Sequence, residues 1–597
     1  MRIADVIIDE LSKCGIDYCF TVTGGASMHL NDAVGINNAV EKIYMHHEQA
    51  CAMAAEGFAR TSLNPALVIA TAGPGAINTL NGIFGAFTDS IPMVVLFGQS
   101  RTDTLKRYWG LEDLRQLGDQ EAPAIQMVKE ISKFSGVLDV SPSEKQIRDL
   151  VQRLYKIAVS GRPGPVVLEI PVNIQALTPA ENDYKDFRLP QIAPEVHLDN
   201  EDLEQVIELL TTCKKPVILT GTGVLLANAQ DIVKKLSLDK NIPILTAWTH
   251  DSFEDEFPTL IGRPGTIGTR PGNIVQQNSD LLLVLGSRLN IRQIGYNHES
   301  FALGAKRIQV DIDKSELEKP FPNIDLRIHC DISNFLRSLI SHPRYQQVPS
   351  FSKWLNWSKE IKKKYEIQPE NYQSNKRINP YKIISKIIEA APNDSVIVCG
   401  DATACIVPFQ VSKIKPNMRL FSNSGSASMG YDLPAAIGAA ISSPKKTIIC
   451  FAGDGSIMMN LQEFQTAAKL NLNIKFFILC NEGYLSIRQT QSNFFGHLNG
   501  ADTNSGLSFP DFAKLGEAFG INSYKIDSLD DFPTIEKSFS DFGPEIFALS
   551  LDENQEFIPR LKSKIVNGII TTPTLDDMYP HLSPEELESI RNSAHQI

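Results

Sequence analysis

An aspartate set between two glycines, Asp454 in Gly453-Asp454-Gly455, is followed after 24 residues (456–479) by Cys480-Asn481. A carboxylate and an amide oxygen brought to one place suit a hard divalent cation. Mg²⁺ takes one or two protein oxygens and fills its remaining positions with phosphate oxygens and water, so the pair points to a cation carrying a diphosphate. A lone Gly-Asp-Gly is more often a turn that caps a helix, and only its surroundings raise it above that. Thr447 to Phe451 is β-branched and aromatic and runs straight into the glycine turn, while Ile474 to Leu479 is a second apolar run. Right-handed crossovers return consecutive parallel strands in one direction, which puts Asp454 and Asn481 at the carboxyl edge of one sheet beside a helix N-terminus.

The rest of the chain supplies more units of the same kind. Up to about residue 180, helices are expected at Ile3 to Cys14, Glu48 to Arg60 and Ala76 to Phe87. Strands are expected at Tyr18 to Val22, Ala66 to Thr71 and Pro92 to Phe97. Such alternation implies a parallel sheet covered on both faces. Ala66 to Gln99 has the layout of the Asp454 segment: apolar strand, Ala-Gly-x-Gly, small-residue helix, apolar strand. It hints at two domains of one fold. Gly161 to Pro171 places a rigid turn before a closing strand, and the Pro-containing stretch after it reads as a surface linker. A second unit, from about 195 to 345, has strands at Pro216 to Leu219, Asp280 to Leu285 and Arg307 to Ile312. They end in Gly221-Thr222-Gly223, Gly286-Ser287-Arg288 and Asp311. Glycine and acidic turns of this kind serve a dinucleotide at the crevice beyond a sheet, although Gly221 to Ala227 is not GxGxxG. His342 to about Arg377 reads as a helical linker, residues 376–555 as a third unit, and 556–597 as a tail. In the tail Ser583, Pro584 and Glu586 form a capping box on a last helix.

With 597 residues the chain exceeds one core and allows roughly three or four domains. A formal charge of −12 without a basic run argues against a nucleic-acid surface and for small-molecule partners. Nine scattered cysteines with no CxxC pair read as reduced, mostly buried thiols of a cytoplasmic protein. The acidic, amphipathic N-terminus lacks the plan of a signal peptide, and no apolar run is long enough to span a bilayer.

Three sets of motifs identify a family. His47-Glu48-Gln49-Ala50, Glu56 to Arg60, Thr71 to Asn78 and Asp89 to Val95 resemble the pyrimidine-binding domain of acetolactate synthase large subunits. The middle unit follows that family at Gly262, Gly265, Gly268, Gly272-Asn273, Ser279 to Leu282, Gly286 to Arg288 and Val310 to Asp313. The third unit follows it at Ser428 to Tyr431, Leu433 to Ala439 and the Asp454 segment. The resemblance covers roughly residues 1–550. It implies an α/β fold of three doubly wound parallel-sheet domains, for pyrimidine, central and diphosphate parts, and a homodimer or homotetramer with thiamine diphosphate (ThDP) at the subunit interface.

By that resemblance Asp454, Asn481 and the Gly483 carbonyl would hold Mg²⁺, and Glu48 would shift the tautomer of the cofactor pyrimidine. A carboxyl group in that role is expected to be buried, with its pKa raised toward the working range. Met429 would be the wedge that folds the two cofactor rings together. Gln120 and Lys133 align with positions lining the substrate and cofactor channel. Gly24, Gly73, Asn78, Gly425, Gly453, Gly455 and Ser456 would line the ThDP site, and Gly221, Gly223, Arg288 and Asp311 a non-redox FAD site. The sequence departs from the family after Asn481. A Met and a Trp that shape the pocket for a short 2-oxo acid acceptor align with Ser486 and Thr490, and Arg488 adds an anion contact. The second domain also reads Gly221-Thr222-Gly223 for a glycine triplet and Asn290-Ile291-Arg292 for Asp-Asp-Arg. The expected activity is decarboxylation of a 2-oxo acid, pyruvate first, and transfer of the two-carbon unit to an acceptor carbonyl, with a nucleotide-linked keto sugar as one candidate. A true acetolactate synthase, a simple 2-oxo acid decarboxylase or aldehyde lyase, and a non-catalytic flavin-binding protein are the alternatives.

Overall fold

A computed structural model describes residues 1–111, 113–194, 196–374, 377–566 and 569–597. Apolar, β-branched runs form three six-stranded parallel sheets, each flanked by helices. The first contains β1 (Tyr18–Thr21), β2 (Glu41–Tyr44), β3 (Leu67–Ala70), β4 (Met93–Gln99), β5 (Phe134–Val137) and β6 (Pro165–Pro171) in the order β2-β1-β3-β4-β6-β5. The second contains β7 (Pro216–Thr220), β8 (Ile244–Thr246), β9 (Leu260–Gly262), β10 (Leu281–Leu285), β11 (Lys306–Asp311) and β12 (Leu326–His329) in the order β12-β11-β10-β7-β8-β9. The third contains β13 (Val396–Cys399), β14 (Arg419–Phe421), β15 (Ile448–Gly453), β16 (Ile474–Cys480), β17 (Asn522–Ile526) and β18 (Glu545–Ser550) in the order β14-β13-β15-β16-β18-β17.

The first and third orders coincide strand for strand, so the repeat between residues 66–99 and 446–481 is one of topology: β3 and β4 stand where β15 and β16 stand. Their direction reverses between the first strand and its neighbour, β1/β3 and β13/β15. The second sheet has the doubly wound order in which reversal falls between β7 and β10. Ligands of such sheets bind beyond the carboxyl ends at the switch point. β2 and β5 are not anticipated by periodicity, being short and half-exposed, and Pro165–Pro171 enters between β4 and β5 rather than at an edge. The helix expected over Ala76 to Phe87 is broken at Thr79 into Pro74–Asn78 and Leu80–Thr88.

The described chain divides into two compact units. One holds residues 1–194, 395–404 and 422–550, and the other 195–394, 405–421 and 551–597. In the first unit the helix Glu48–Ser62 crosses the helix Asp432–Ser442 at very short range. A Cβ at Gly57 would overlap the Ala435 carbonyl, and one at Gly438 the Ala54 carbonyl. Only the small residues of both segments permit this approach, which ties the helix beginning at Glu48 to the domain that carries Asp454.

Two expectations are corrected in the second unit. The stretch read as a linker contains the helix Ser352–Tyr365, whose Trp354, Leu355 and Trp357 are buried in the core formed around β7, β10 and β11. The 556–597 stretch is not a loose tail: its last helix, Pro584–His595, adds Ile590 and Ala594 to that core, and Trp357 donates to Ser593. Ser583 caps this helix through the Glu586 N–H. The Glu586 carboxylate does not complete the box, because it accepts from Tyr365 at 2.6 Å and pairs with Lys364 at 2.8 Å. The nine cysteines are free thiols, mostly buried. Among the described residues no helix is long and apolar enough to cross a membrane.

Candidate functional site

β15 ends at Gly453, which caps the short helix Asp454–Ile457, and its register against β16 brings Gly453 opposite Leu479. Asp454 therefore starts where Cys480 and Asn481 leave the neighbouring strand. Asp454 is 2% exposed and accepts from the Gly455 N–H at 2.8 Å and the Gly483 N–H at 3.2 Å. Burial pushes its carboxyl up to about 6, while those N–H groups pull the other way. Asn481 is also buried. Its amide nitrogen reaches Thr403 Oγ1 at 3.5 Å, and its Oδ1 has no partner. An orphaned buried amide oxygen and a buried carboxyl whose ionised form burial disfavours are a donor set that a divalent cation completes, since the ion favours the ionised form and takes the spare lone pairs. Both donors are oxygens, so the cation this site fits is an oxygen-ligated one. Between Asn481 and the next helix the backbone is left-handed at Glu482 (φ +59°) and enters a glycine-only region at Gly483 (φ +140°). Gly483 lies against the backbone of Ala501 and Asp502.

Ser456, on the same short helix, donates to Asp432 at 2.6 Å and accepts from the Gly430 N–H at 2.8 Å. Asn460 holds the Gly430 carbonyl at 2.7 Å. These bonds fix the turn that presents Met429, which is half-buried as a wedge toward a ligand would be. Asp432 is fully buried, and burial pushes its carboxyl up to about 7. Gly425 is exposed, and its N–H faces Asp89 at 3.4 Å.

At the first sheet Gly24 follows β1 and Gly73 follows β3, so both flank the switch point. Glu48 opens its helix behind the N-cap His47, whose ring accepts from the Gln49 N–H. Asn78 donates to Glu48 Oε2 at 3.0 Å, which joins two of the expected residues. The carboxylate is half-buried within this one chain, not buried as expected. Gln120 is exposed and left-handed (φ +55°), and it meets Gly73 through its backbone carbonyl. Lys133 does not line a channel through its ammonium group, which donates to the Ile157 and Ser160 carbonyls at the end of the helix Glu144–Val159.

Gly221 and Gly223 are occupied differently from a phosphate cradle. Their N–H groups donate to Leu285 and Gly286, and a Cβ at either would strike the Gly286 turn. They serve close packing of two loops at the β7/β10 switch point. Arg288 follows β10 and lends its carbonyl to Lys319, and Asp311 ends β11 and accepts from the Asp313 N–H at 2.9 Å. All four stand at one sheet edge.

On the helix Leu485–Phe494 the Thr490 hydroxyl bonds back to the Ser486 carbonyl at 3.0 Å. Arg488 is buried, and its guanidinium donates to the carbonyls of Asn481 (2.9 Å) and Glu482 (3.2 Å). Its guanidinium is thus engaged by backbone carbonyls, and its charge also acts on the Asp454 carboxyl. Sequence reasoning also passed over Thr403, Asp432 and Glu463. Glu463 is fully buried and accepts from the His46 N–H at 3.1 Å and from Thr466 at 2.6 Å, anchoring the junction before Glu48. Asp432 was open to notice as the single charge at the head of an apolar helix.

Residues 1–122 match the family described as thiamine pyrophosphate enzyme, N-terminal TPP binding domain. Residues 203–339 match the central domain and 400–545 the C-terminal TPP binding domain. The chain is 30% identical over 574 residues to acetolactate synthase 1, chloroplastic, of Nicotiana tabacum, covering 94% of this chain and 83% of the relative. It is 30% identical over 529 residues to the acetolactate synthase large subunit of Buchnera aphidicola subsp. Schizaphis graminum, covering 88% and 89%. Acetolactate synthase 2, chloroplastic, of Brassica napus is 28% identical over 578 residues, covering 94% and 87%.

Proposed function

The chain belongs to the ThDP-dependent, acetolactate synthase-like enzymes, and from that premise we propose that it decarboxylates pyruvate and joins the two-carbon unit to an acceptor carbonyl larger and more polar than a short 2-oxo acid. What supports the acceptor reading is the helix Leu485–Phe494, where, by the family resemblance, Ser486 and Thr490 take the positions of a Met and a Trp. Losing an indole widens the pocket and removes an apolar wall, which favours a polar acceptor such as a nucleotide-linked keto sugar.

ThDP, when bound, supplies the electron sink that the 2-oxo acid carbon needs as CO₂ leaves. Glu48, fixed by Asn78, would exchange a proton with the pyrimidine ring nitrogen. Met429 would hold the two rings together. Asp454, Asn481 and the Gly483 carbonyl would hold Mg²⁺ and through it the diphosphate, with Gly24, Gly73, Gly425, Gly453, Gly455 and Ser456 around the cofactor. The orphaned Asn481 Oδ1 supports the metal assignment. For the second sheet we propose FAD in a non-redox role, supported by its dinucleotide-type strand order and by Arg288 and Asp311 at one edge, with Gly221 and Gly223 packing the loops at its switch point. Retention of FAD on the purified protein, read from its absorbance and by extraction, tests this.

The deciding assay incubates the enzyme with pyruvate, ThDP, Mg²⁺ and FAD against a panel of 2-oxo acids and nucleotide keto sugars, with mass spectrometry for a two-carbon addition. An adduct with a keto sugar in preference to pyruvate or 2-oxobutyrate supports the reading. Preferential formation of acetolactate returns the protein to the synthases proper, and acetaldehyde accumulating whatever the acceptor makes it a decarboxylase.

A further inference from the structure

The segment after Asn481 is strained where the proposed metal site needs its backbone. Glu482, which has a Cβ, is left-handed (φ +59°), and Gly483 follows at φ +140°. A non-glycine residue held in that region is strained and persists only where its surroundings hold it. Two features do so. Behind Gly483, the Ala501–Asp502 backbone leaves no room for a side chain. In front, Arg488, in the first turn of the helix Leu485–Phe494, reaches back and gives separate nitrogens to the carbonyls of Asn481 (2.9 Å) and Glu482 (3.2 Å). The residue is 8% exposed, so these charge-assisted bonds are formed away from bulk water, where they count for more. With the 481 and 482 carbonyls turned to the guanidinium, the Asn481 side chain keeps its Oδ1 unpartnered and Gly483 gives its N–H to Asp454.

We propose that Arg488 is the positioning residue of the metal loop: it clamps two consecutive carbonyls so that the Asn481 amide oxygen and the Gly483 carbonyl are set for the cation before the cation arrives. The planar fork is what allows one side chain to bond two successive carbonyls, a geometry a single ammonium reproduces in part. The inference rests on the assignment of Asp454 and Asn481 to Mg²⁺.

The test measures Mg²⁺-dependent ThDP binding by calorimetry on wild type, Arg488→Met, Arg488→Lys and Asp454→Asn, with the melting temperature of each apo protein recorded alongside. Outer contacts of metal ligands are typically worth about 10–100-fold in metal affinity. Arg488→Met should lose roughly that much while its apo melting temperature stays within a few degrees of wild type. Arg488→Lys should recover part of the loss, and it carries the test should the Met variant not fold. Wild-type Mg²⁺ and ThDP affinity in Arg488→Met, with Asp454→Asn impaired, overturns the clamp and leaves the metal site standing. A raised KM for the acceptor with cofactor affinity unchanged also overturns it, and makes Arg488 a substrate contact. If Asp454→Asn itself binds normally, the metal assignment fails instead.

Discussion

Glu48 and Asp432 are buried to different degrees and predict different behaviour. Glu48 is half-buried, carries an amide donor from Asn78 and has no structural partner whose loss would unfold the helix behind it. Glu48→Gln should therefore leave stability nearly unchanged and still bind ThDP, while the rate of CO₂ release from pyruvate falls by about 10²–10⁴. The same variant should slow exchange of the ThDP C2 proton by a comparable factor, read by NMR on the complex, and full activity in it would remove Glu48 from the mechanism. Asp432 titrates within the fold. Its carboxyl is held at about 7 against an ordinary 3.8 by burial. Between those values the unfolded chain has released its proton and the folded chain has not, so stability falls as pH rises through that window. By linkage the loss is at most about 4 kcal/mol. Asp432→Asn lacks this term, so the melting temperature of wild type minus that of the variant should decline from pH 4 to pH 8. A pH-independent difference would show that Asp432 is ionised throughout. At this scale the juxtaposition of Asp454 and Asn481 was legible because a carboxylate and an amide stood at the ends of two adjacent apolar runs. The backbone contacts of Arg488 and the places of Thr403 and Glu463 were not, since each acts through a backbone group or a partner from another segment, and nothing in residue type or spacing announces that.

Between elements, the helix Glu48–Ser62 crosses the helix Asp432–Ser442 at short range in the first unit. The physics of the crossing is volume: a methyl at Gly438 or Gly57 has no space against the Ala54 or Ala435 carbonyl, and the obstructing atoms are backbone. Each Gly→Ala change should destabilise by about 1–3 kcal/mol or more, read as a lowered melting temperature, with activity lost in parallel because Glu48 begins one of the two helices. Gly35, on the helix Met28–Ile36 with open space around it, is the control, and Gly35→Ala should be neutral or slightly stabilising. Equal effects at all three positions would mean that helix propensity, not packing, sets the cost. Long apolar strands and their glycine turns were readable because period and punctuation coincide there. The edge strands β2 and β5 were not, being short and half-exposed, and neither was the break at Thr79. Ser352–Tyr365 was mistaken for a linker because Lys and Glu dominate its exposed face, while Trp354, Leu355, Trp357 and Ile361, which tie it to the middle core, are few among them.

At the scale of the whole molecule, large apolar side chains stand exposed beside both Asn78 and Asp454. Ile77 and Phe84 are 38% and 40% exposed on the helices beside Asn78, and Met458 and Met459 are 39% and 49% exposed just after the Asp454 helix. Large apolar side chains gathered at a functional edge mark an interaction surface. A second copy of the chain would bury them and would also bury Glu48 further, which its role as proton carrier needs. The homodimer that the family resemblance implies, with Glu48 from one subunit and Asp454 from the other at each cofactor, is testable without a new structure. Glu48→Gln and Asp454→Asn subunits, each inactive alone, should regain a measurable part of wild-type turnover after mixing and exchange, because a mixed dimer then holds one site with both wild-type residues. Light scattering on the same samples should report a dimer or a multiple of it. If each site drew both residues from one chain, every site in the mixture would carry a lesion, and no exchange of subunits could restore activity.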